Sequence, residues 1–91
     1  MEQKTVYKFT LEFTDVQDIK MQKGAKILSV GVQRGIVCIW ALVEPNAQKE
    51  NRRFAIVGTG CEMTLNQYFG KFIGTVLTEG DALVWHIFET E

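Results

Sequence analysis

Eight consecutive residues, Ile36–Val43, carry no charge, no proline and no glycine. In a β-strand successive side chains point to opposite faces, so this segment presents two apolar faces. One face carries Ile36, Cys38, Trp40 and Leu42, and the other carries Val37, Ile39, Ala41 and Val43. Because a strand that is apolar on both sides has to be covered on both sides, the pattern predicts a central strand. We expect Trp40 to lie in the core and its truncation to destabilise the fold.

Alternation of apolar and polar residues predicts further strands on both sides of this segment. They cover Thr5–Phe13, Val16–Met21, Lys26–Gln33 and Arg52–Val57, with a bent, glycine-interrupted strand over Phe69–Leu77. The last predicted strand, Ala82–Glu89, again has two apolar faces. The dipeptide Arg34-Gly35 predicts a tight hairpin in which Gly35 takes a positive φ angle. Ser29 and Gly31 leave one face of their strand thin, which favours the close approach of either a backbone segment or a large neighbouring ring. We expect the strand that begins at Arg52 to pair with the central strand.

Two segments interrupt the strands. Apolar spacing over Cys61–Tyr68 predicts a short helix with Thr64 as its N-cap, and the polar segment Glu44–Asn51 predicts a long exposed loop. Five to seven short strands with one helical interruption predict a mainly β fold, either a small antiparallel sandwich or a partly open barrel with one short helix. The length of 91 residues, without a break in composition, predicts a single domain over residues 1–91.

The charge balance of the chain bears on its partners. Ten basic and eleven acidic residues are scattered along the chain, and the formal net charge is −1. This balance disfavours nucleic acid as a partner, because sequence-independent binding to phosphates needs an excess of cations. The predicted strands with two apolar faces also favour a homo-oligomer, since one small chain has few elements with which to cover them.

Few residues of this chain suit a metal or a cofactor. The two cysteines, Cys38 and Cys61, lack the spacing of a metal site, and His86 is the only histidine. We therefore expect no metal and no cofactor, and reduced thiols in the cytoplasm. No apolar run is long enough to cross a membrane, so we expect no membrane association.

The chain carries five short motifs in order: Gly24–Val30, Trp40–Val43 with Pro45, Val57–Gly60, Tyr68–Thr75 and Leu83–Glu89. Together these motifs resemble a family of short phage and prophage proteins that forms a domain of unknown function. The resemblance covers nearly the whole chain. It implies a bacterial-virus setting and carries over no catalytic residue. Small phage proteins of this kind are often accessory or counter-defence factors that bind and block a host component, and that analogy suggests the same role here.

One cluster of residues is a candidate ligand site. Gly58, Thr59 and Gly60 follow a predicted strand, where backbone N–H groups are able to bind a phosphate, although the simpler interpretation is a tight turn. Arginine is suited to grip a phosphate in two places, and aromatic rings stack on bases. The predicted ligand-binding set is therefore Gly58, Thr59, Gly60, Arg53, Trp85 and His86, with Arg34, Arg52 and Trp40 as further candidates. For each of them an ordinary structural role is the competing interpretation.

These observations favour a binding protein over an enzyme, because one histidine without a recognisable nucleophile or metal cluster offers little for catalysis. The first hypothesis is a non-enzymatic accessory protein that sequesters a nucleotide-derived small molecule of the host. The alternative is an inhibitor that binds a host defence protein through a sheet edge or through the Glu44–Asn51 loop and has no small-molecule pocket.

Overall fold

A computed structural model describes residues 3–68 and 70–91 of the chain. Seven strands make up almost all of its regular structure, and Phe69, where one predicted strand was to begin, lies outside the described residues. The strands are β1 (Thr5–Leu11), β2 (Val16–Gln22), β3 (Lys26–Gln33), β4 (Ile36–Val43), β5 (Lys49–Gly58), β6 (Lys71–Thr78) and β7 (Leu83–Thr90).

The strands form two antiparallel sheets. One sheet has three strands in the order β1-β4-β3, and the other has four in the order β2-β5-β7-β6. Buried side chains from both sheets, among them Ile39, Phe54 and Ile87, meet in one hydrophobic cluster. The mainly β prediction is confirmed, and the described strands form two packed sheets with no closed barrel.

The predicted short helix over Cys61–Tyr68 is not borne out. Only one helical turn forms, α1 at Leu65–Tyr68, and the residues before it are irregular. Thr64 Oγ1 accepts a hydrogen bond from Gln67 N at 3.3 Å, and Gln67 Oε1 accepts one from Thr64 N at 2.8 Å. This reciprocal pair is a capping box, so the expected cap is present. The first turn of a helix fixes several backbone dihedral angles and gains few hydrogen bonds in return, so a helix becomes stable only when further turns follow. At α1 no further turn follows among the described residues.

Strand β4 shows how the two faces of the central segment differ. Val37, Ile39, Ala41 and Val43 are fully buried against the second sheet. On the opposite face Cys38 is buried, Trp40 and Leu42 are half-buried, and Ile36 is 48% exposed. The prediction that Trp40 lies in the core is wrong, because no layer formed by the described residues covers this outer face.

The indole ring instead lies flat along its own sheet. A Cβ atom at Gly31 would come within 3.1 Å of the Trp40 ring, so the missing side chain makes room for it. The thin face predicted around Ser29 and Gly31 therefore accommodates a large ring, as expected.

Strand β5 does not pair with β4. It runs between β2 and β7 in the other sheet, because both edges of β4 are already taken by β1 and β3. β5 also begins at Lys49, earlier than predicted, which shortens the loop before it to residues 44–48. Ala47 N donates to Glu44 O and Lys23 N donates to Gln48 O, so this loop is tied at both ends.

The two sheets approach most closely at β3 and β6, where Gly74 faces Val30. A Cβ atom at Gly74 would lie 2.6 Å from Val30 Cγ1, closer than two carbon atoms pack. We expect Gly74→Ala to lower the free energy of unfolding by about 1–3 kcal/mol through overpacking. Chemical denaturation measures the change, and Val30→Ala is the matched partner. The double variant should recover most of the loss, whereas additive losses would show that the two side chains do not meet.

Candidate functional site

The turn at Gly58–Cys61 is a tight type II turn. Cys61 N donates to Gly58 O at 3.1 Å, and Gly60 takes φ 88°, the left-handed value that this turn requires at its third position. Thr59 N donates to Val84 O at 3.2 Å. The amides of Thr59 and Cys61 are thus engaged within the chain, which leaves few donors for a phosphate at this turn.

The surface next to this turn has the wrong charge for an anion. A depression of about 240 Å³ is lined there by Asp15, Glu62, Gly58, Trp85 and neighbouring residues, and no lysine or arginine is among them. Two carboxylates without a cation repel a phosphate. The charge of this surface therefore favours an anion site elsewhere on the protein.

Trp85 and His86 point to opposite faces of β7. Trp85 packs inward, with its Nε1 donating to Thr78 Oγ1 at 2.9 Å and its ring centroid 5.1 Å from that of Phe13. His86 lies on the outer face, where its Nε2 is 2.8 Å from Thr59 Oγ1 and its Nδ1 is 3.0 Å from Thr75 Oγ1. With both ring nitrogens hydrogen-bonded, His86 has the geometry of a structural residue.

Arg53 is far from this turn. It lies opposite Thr90 in the β5–β7 register, while His86 lies opposite Val57. Four residues of strand separate the two positions, about 13 Å. The Arg53 guanidinium donates to Asp18 Oδ1 at 2.9 Å, and this hydrogen bond lowers the pKa of the Asp18 carboxyl. The structure therefore brings Gly58 to Trp85 and Thr59 to His86, but it does not bring Arg53 to them.

Arg52 has a structural role at the mouth between the sheets. Its guanidinium forms a two-point ion pair with Glu89, including an Nη2–Oε1 bond of 2.9 Å, and its Nη1 donates to Ala25 O at 2.8 Å. The hydrogen bonds to Glu89 raise the pKa of Arg52 above its ordinary value. With its fork occupied in this way, Arg52 is not available to a ligand.

A second concave surface lies on the outer face of the three-stranded sheet, at the β3–β4 hairpin. We call it the hairpin cup. It encloses about 560 Å³ and is lined by Lys8, Thr10, Gln33, Arg34, Ile36 and Cys38. The hairpin turns through Arg34 and Gly35, which both have positive φ angles of 51° and 77°. This is the type I′ geometry that matches the twist of the strands, and it confirms the predicted tight hairpin.

The polar groups of the hairpin cup are mostly donors. Lys8 Nζ donates to Gln33 Oε1 at 3.0 Å, and since an ammonium group only donates, the amide oxygen must be the atom that faces it. The Gln33 NH₂ group is left as a donor on the other side. Cys38 Sγ points to Ile36 O at 3.4 Å and lies buried in the floor. Two cations and an amide donor in one concavity suit an anion.

Arg34 is the most unusual residue of the hairpin cup. Within the part of the chain that the structure describes, its side chain makes no hydrogen bond or ion pair. Its left-handed backbone conformation is one that asparagine, aspartate and glycine adopt more readily, at a strain of roughly 1 kcal/mol for other residues. The exposed Arg34 guanidinium is therefore free to contact a ligand.

Trp40 extends the site beyond the hairpin cup. In the sheet register Trp40 lies between Lys8 on β1 and Ser29 on β3, and its ring reaches over Gly31 toward the hairpin. The strand residues of this outer face carry Lys8 and Lys26, and none of those described is acidic; Glu12 follows only after β1 ends. This surface, which includes the hairpin cup, is what we mean by the outer face of the three-stranded sheet: the face opposite the one that packs on the second sheet.

Sequence reasoning noted Arg34 and Trp40 separately and missed Lys8, Thr10 and Gln33. The available signal was the combination of an arginine in the hairpin dipeptide Arg34-Gly35 and a lysine on the polar face of the first strand. Which strand lies beside the hairpin depends on pairing over a long sequence separation, so the signal was incomplete.

Two observations bear on other classes of site. Among the described residues, no three histidine, cysteine, aspartate or glutamate side chains lie close enough together to hold a metal ion. In the same part of the chain, no helix is long and apolar enough to cross a membrane.

Comparison with known proteins gives one assignment. Neither the curated proteins nor the solved structures include a significant match to this chain. A family described as a domain of unknown function, DUF7352, matches residues 2–91. Since that match spans nearly every residue, the chain belongs to the DUF7352 family.

Proposed function

We propose that this domain is a non-enzymatic binding protein that sequesters a nucleotide-derived anionic small molecule on the outer face of the three-stranded sheet. The observation that carries the proposal is the hairpin cup, in which Lys8, Gln33 and the unpartnered Arg34 converge beside Trp40. A guanidinium fork and an ammonium group complement a phosphate, and an indole ring complements a base.

The setting that we propose follows from the resemblance to short phage and prophage proteins. A phage-encoded binder present in the host cytoplasm would act as a counter-defence factor by occluding a host signal. Binding rather than catalysis is supported by the arrangement of the reactive groups. His86 lies on the other sheet between two threonines, and the Cys38 thiol is buried beneath the hairpin cup. His86 therefore lies away from a ligand held by Arg34, and the Cys38 thiol, although it lines the floor of the hairpin cup, is 1% exposed and points to Ile36 O.

Arg34→Asn tests the proposal with two opposite effects. Asparagine favours the left-handed conformation at this position, so we expect the free energy of unfolding to rise by about 0.5–1 kcal/mol. Loss of the guanidinium should at the same time weaken nucleotide binding by roughly tenfold or more, the value of one charge-assisted hydrogen bond. Isothermal calorimetry against a panel of linear and cyclic nucleotides, run beside thermal unfolding, measures both.

The matched control for this experiment is Arg53→Asn, which removes an arginine from the other sheet. Nucleotide affinity should be unchanged in that variant. If Arg34→Asn retained full affinity while Gly60→Val lost it, the ligand would lie at the Gly58–Cys61 turn and not in the hairpin cup.

One observation favours a second candidate, an inhibitor that binds a host protein. The outer face of the four-stranded sheet exposes Phe72, which is 53% accessible and packs edge-on against Phe88, together with Leu77 and Val16. An apolar surface of this kind is typical of protein interfaces, and it is also where we propose that the domain forms a homo-oligomer. Capture of a host protein that depends on Phe72 and not on Arg34 would favour this candidate, and light scattering reports the oligomeric state.

A further inference from the structure

A third cation lies on the outer face of the three-stranded sheet, at the end away from the hairpin. Lys26 is exposed at the start of β3 and pairs with Leu42, one row beyond Trp40. It also borders the cleft between the sheets, together with Lys71. The carboxylate in that cleft, Glu89, is held by Arg52, so it does not neutralise Lys26. Cations therefore stand on both sides of Trp40.

An apolar strip runs between these cations. Val6 and Leu42 lie side by side in the register, and Val6 is 52% exposed. The Trp40 ring continues this apolar strip toward the hairpin. A partly exposed strip of aliphatic and aromatic side chains with positive charge at each end suits a nucleobase whose nucleoside is flanked by phosphates.

The distance between the hairpin cup and Lys26 decides the size of the ligand. Lys26 and Gln33, which lines the hairpin cup, are seven residues apart in a strand with one bulge, so their Cα atoms are about 20 Å apart. With the side chains at both ends reaching inward by about 5 Å each, about 10 Å remains, a gap that a single phosphate in the hairpin cup does not bridge. One mononucleotide in the hairpin cup would leave Lys26 without a phosphate.

Resting on the function proposed above, we infer that this face takes a ligand with two or more phosphates linked through nucleosides, a dinucleotide or the equivalent part of a single strand. The hairpin cup holds one phosphate, Trp40 contacts a base, and Lys26 contacts the second phosphate. The free dinucleotide and the single strand present the same chemistry, so their chain length distinguishes them.

Lys26→Gln is the variant that tests the inference, with Lys20→Gln on the other sheet as its control. The probes are adenosine monophosphate, the linear dinucleotide pApA, a cyclic diadenylate and hexadeoxyadenylate, each titrated by calorimetry at several salt concentrations. We expect Lys26→Gln to leave the monophosphate affinity unchanged. For pApA it should weaken binding by roughly three- to tenfold and make the slope of log K against log salt shallower by about 0.7, the loss of one phosphate contact. Lys20→Gln should change neither.

The outcomes separate this inference from the proposed function. Unchanged pApA affinity in Lys26→Gln, with binding still lost in Arg34→Asn, overturns the two-phosphate ligand and leaves the proposed function intact. No binding of any probe to the wild-type protein overturns both. If the hexamer binds no more tightly than a dinucleotide, the ligand is a free dinucleotide; if it binds more tightly with a steeper salt slope, the ligand is a single strand.

Discussion

Replacing Phe54 by alanine should lower the free energy of unfolding by about 3–5 kcal/mol. Phe54 is the largest fully buried side chain of the chain as described, and it lies in the middle of β5, between β2 and β7. Its removal leaves a cavity bounded by β-strands that cannot collapse into it. In a domain of 91 residues, a loss of this size is a large part of the total stability. Urea denaturation followed by circular dichroism measures it.

Trp40→Ala is the matched control for this prediction, because Trp40 is also a large aromatic residue within a strand. The sequence pattern predicts it in the core, but it lies outside the core. Trp40 lies half-buried on the outer face, so we expect its truncation to destabilise the fold by about 1–2 kcal/mol, well below the loss at Phe54. An equal or greater loss at Trp40 would contradict the structure, since it would require a second layer over that face.

The double variant Lys8→Gln/Arg34→Gln should lose at least about 100-fold in nucleotide affinity, since each removed cation takes with it a charge-assisted hydrogen bond of about 1.5–3 kcal/mol. Both side chains line the hairpin cup, and neither has an acidic partner among the described residues. Stability should change little, because exposed cations without ion pairs contribute little to folding. Calorimetry and thermal unfolding of the same samples report the two quantities separately.

A charge-matched control accompanies this double variant. Lys20→Gln/Arg53→Gln removes the same two charges from the outer face of the other sheet. It leaves the net charge equal to that of the test variant, so a non-specific effect of charge would appear in both. An equal loss of affinity in the two double variants would show that nucleotides bind the protein only through its overall charge.

Most of the strands were predictable because alternation is a local property. Thr5–Leu11 and Lys26–Gln33 alternate in this way, whereas Ile36–Val43 was identified by its uninterrupted apolar run; the dipeptide Arg34-Gly35 determines the turn between the last two. The helical turn was harder to predict, because a capping box at Thr64 marks where a helix begins and not whether it continues.

The assignment of strands to sheets was not predictable in the same way. Alternation shows that β4 and β5 have apolar faces, but it does not show that the chain crosses from one sheet to the other between them. The exposure of Trp40 was unpredictable for the same reason. The sequence pattern shows that its side of the strand is apolar, but it does not show whether another layer of the fold covers that side.

The candidate site combines residues that are distant in sequence. Lys8 and Gln33 are 25 residues apart, and they meet only because β1 and β3 both flank β4. The Gly58–Gly60 hypothesis relied on a local motif, and the structure adds the electrostatic information that the motif lacks, namely Asp15 and Glu62 beside the turn. Net charge was equally uninformative, because it adds the cations of the hairpin cup to carboxylates elsewhere, such as Asp15 and Glu62.

The most direct test of the central claim, that the ligand site is the outer face of the three-stranded sheet, is an NMR titration of the ¹⁵N-labelled protein with pApA. The two tryptophans give two indole N–H signals, one on each sheet, which Trp40→Phe assigns. We predict that the Trp40 indole signal and the backbone amides of Gln33, Arg34 and Gly35 shift in a saturable manner, while the Trp85 indole and the amides of Thr59–Cys61 do not. Shifts confined to Trp85 and Thr59–Cys61, or no saturable shift at all, would contradict it.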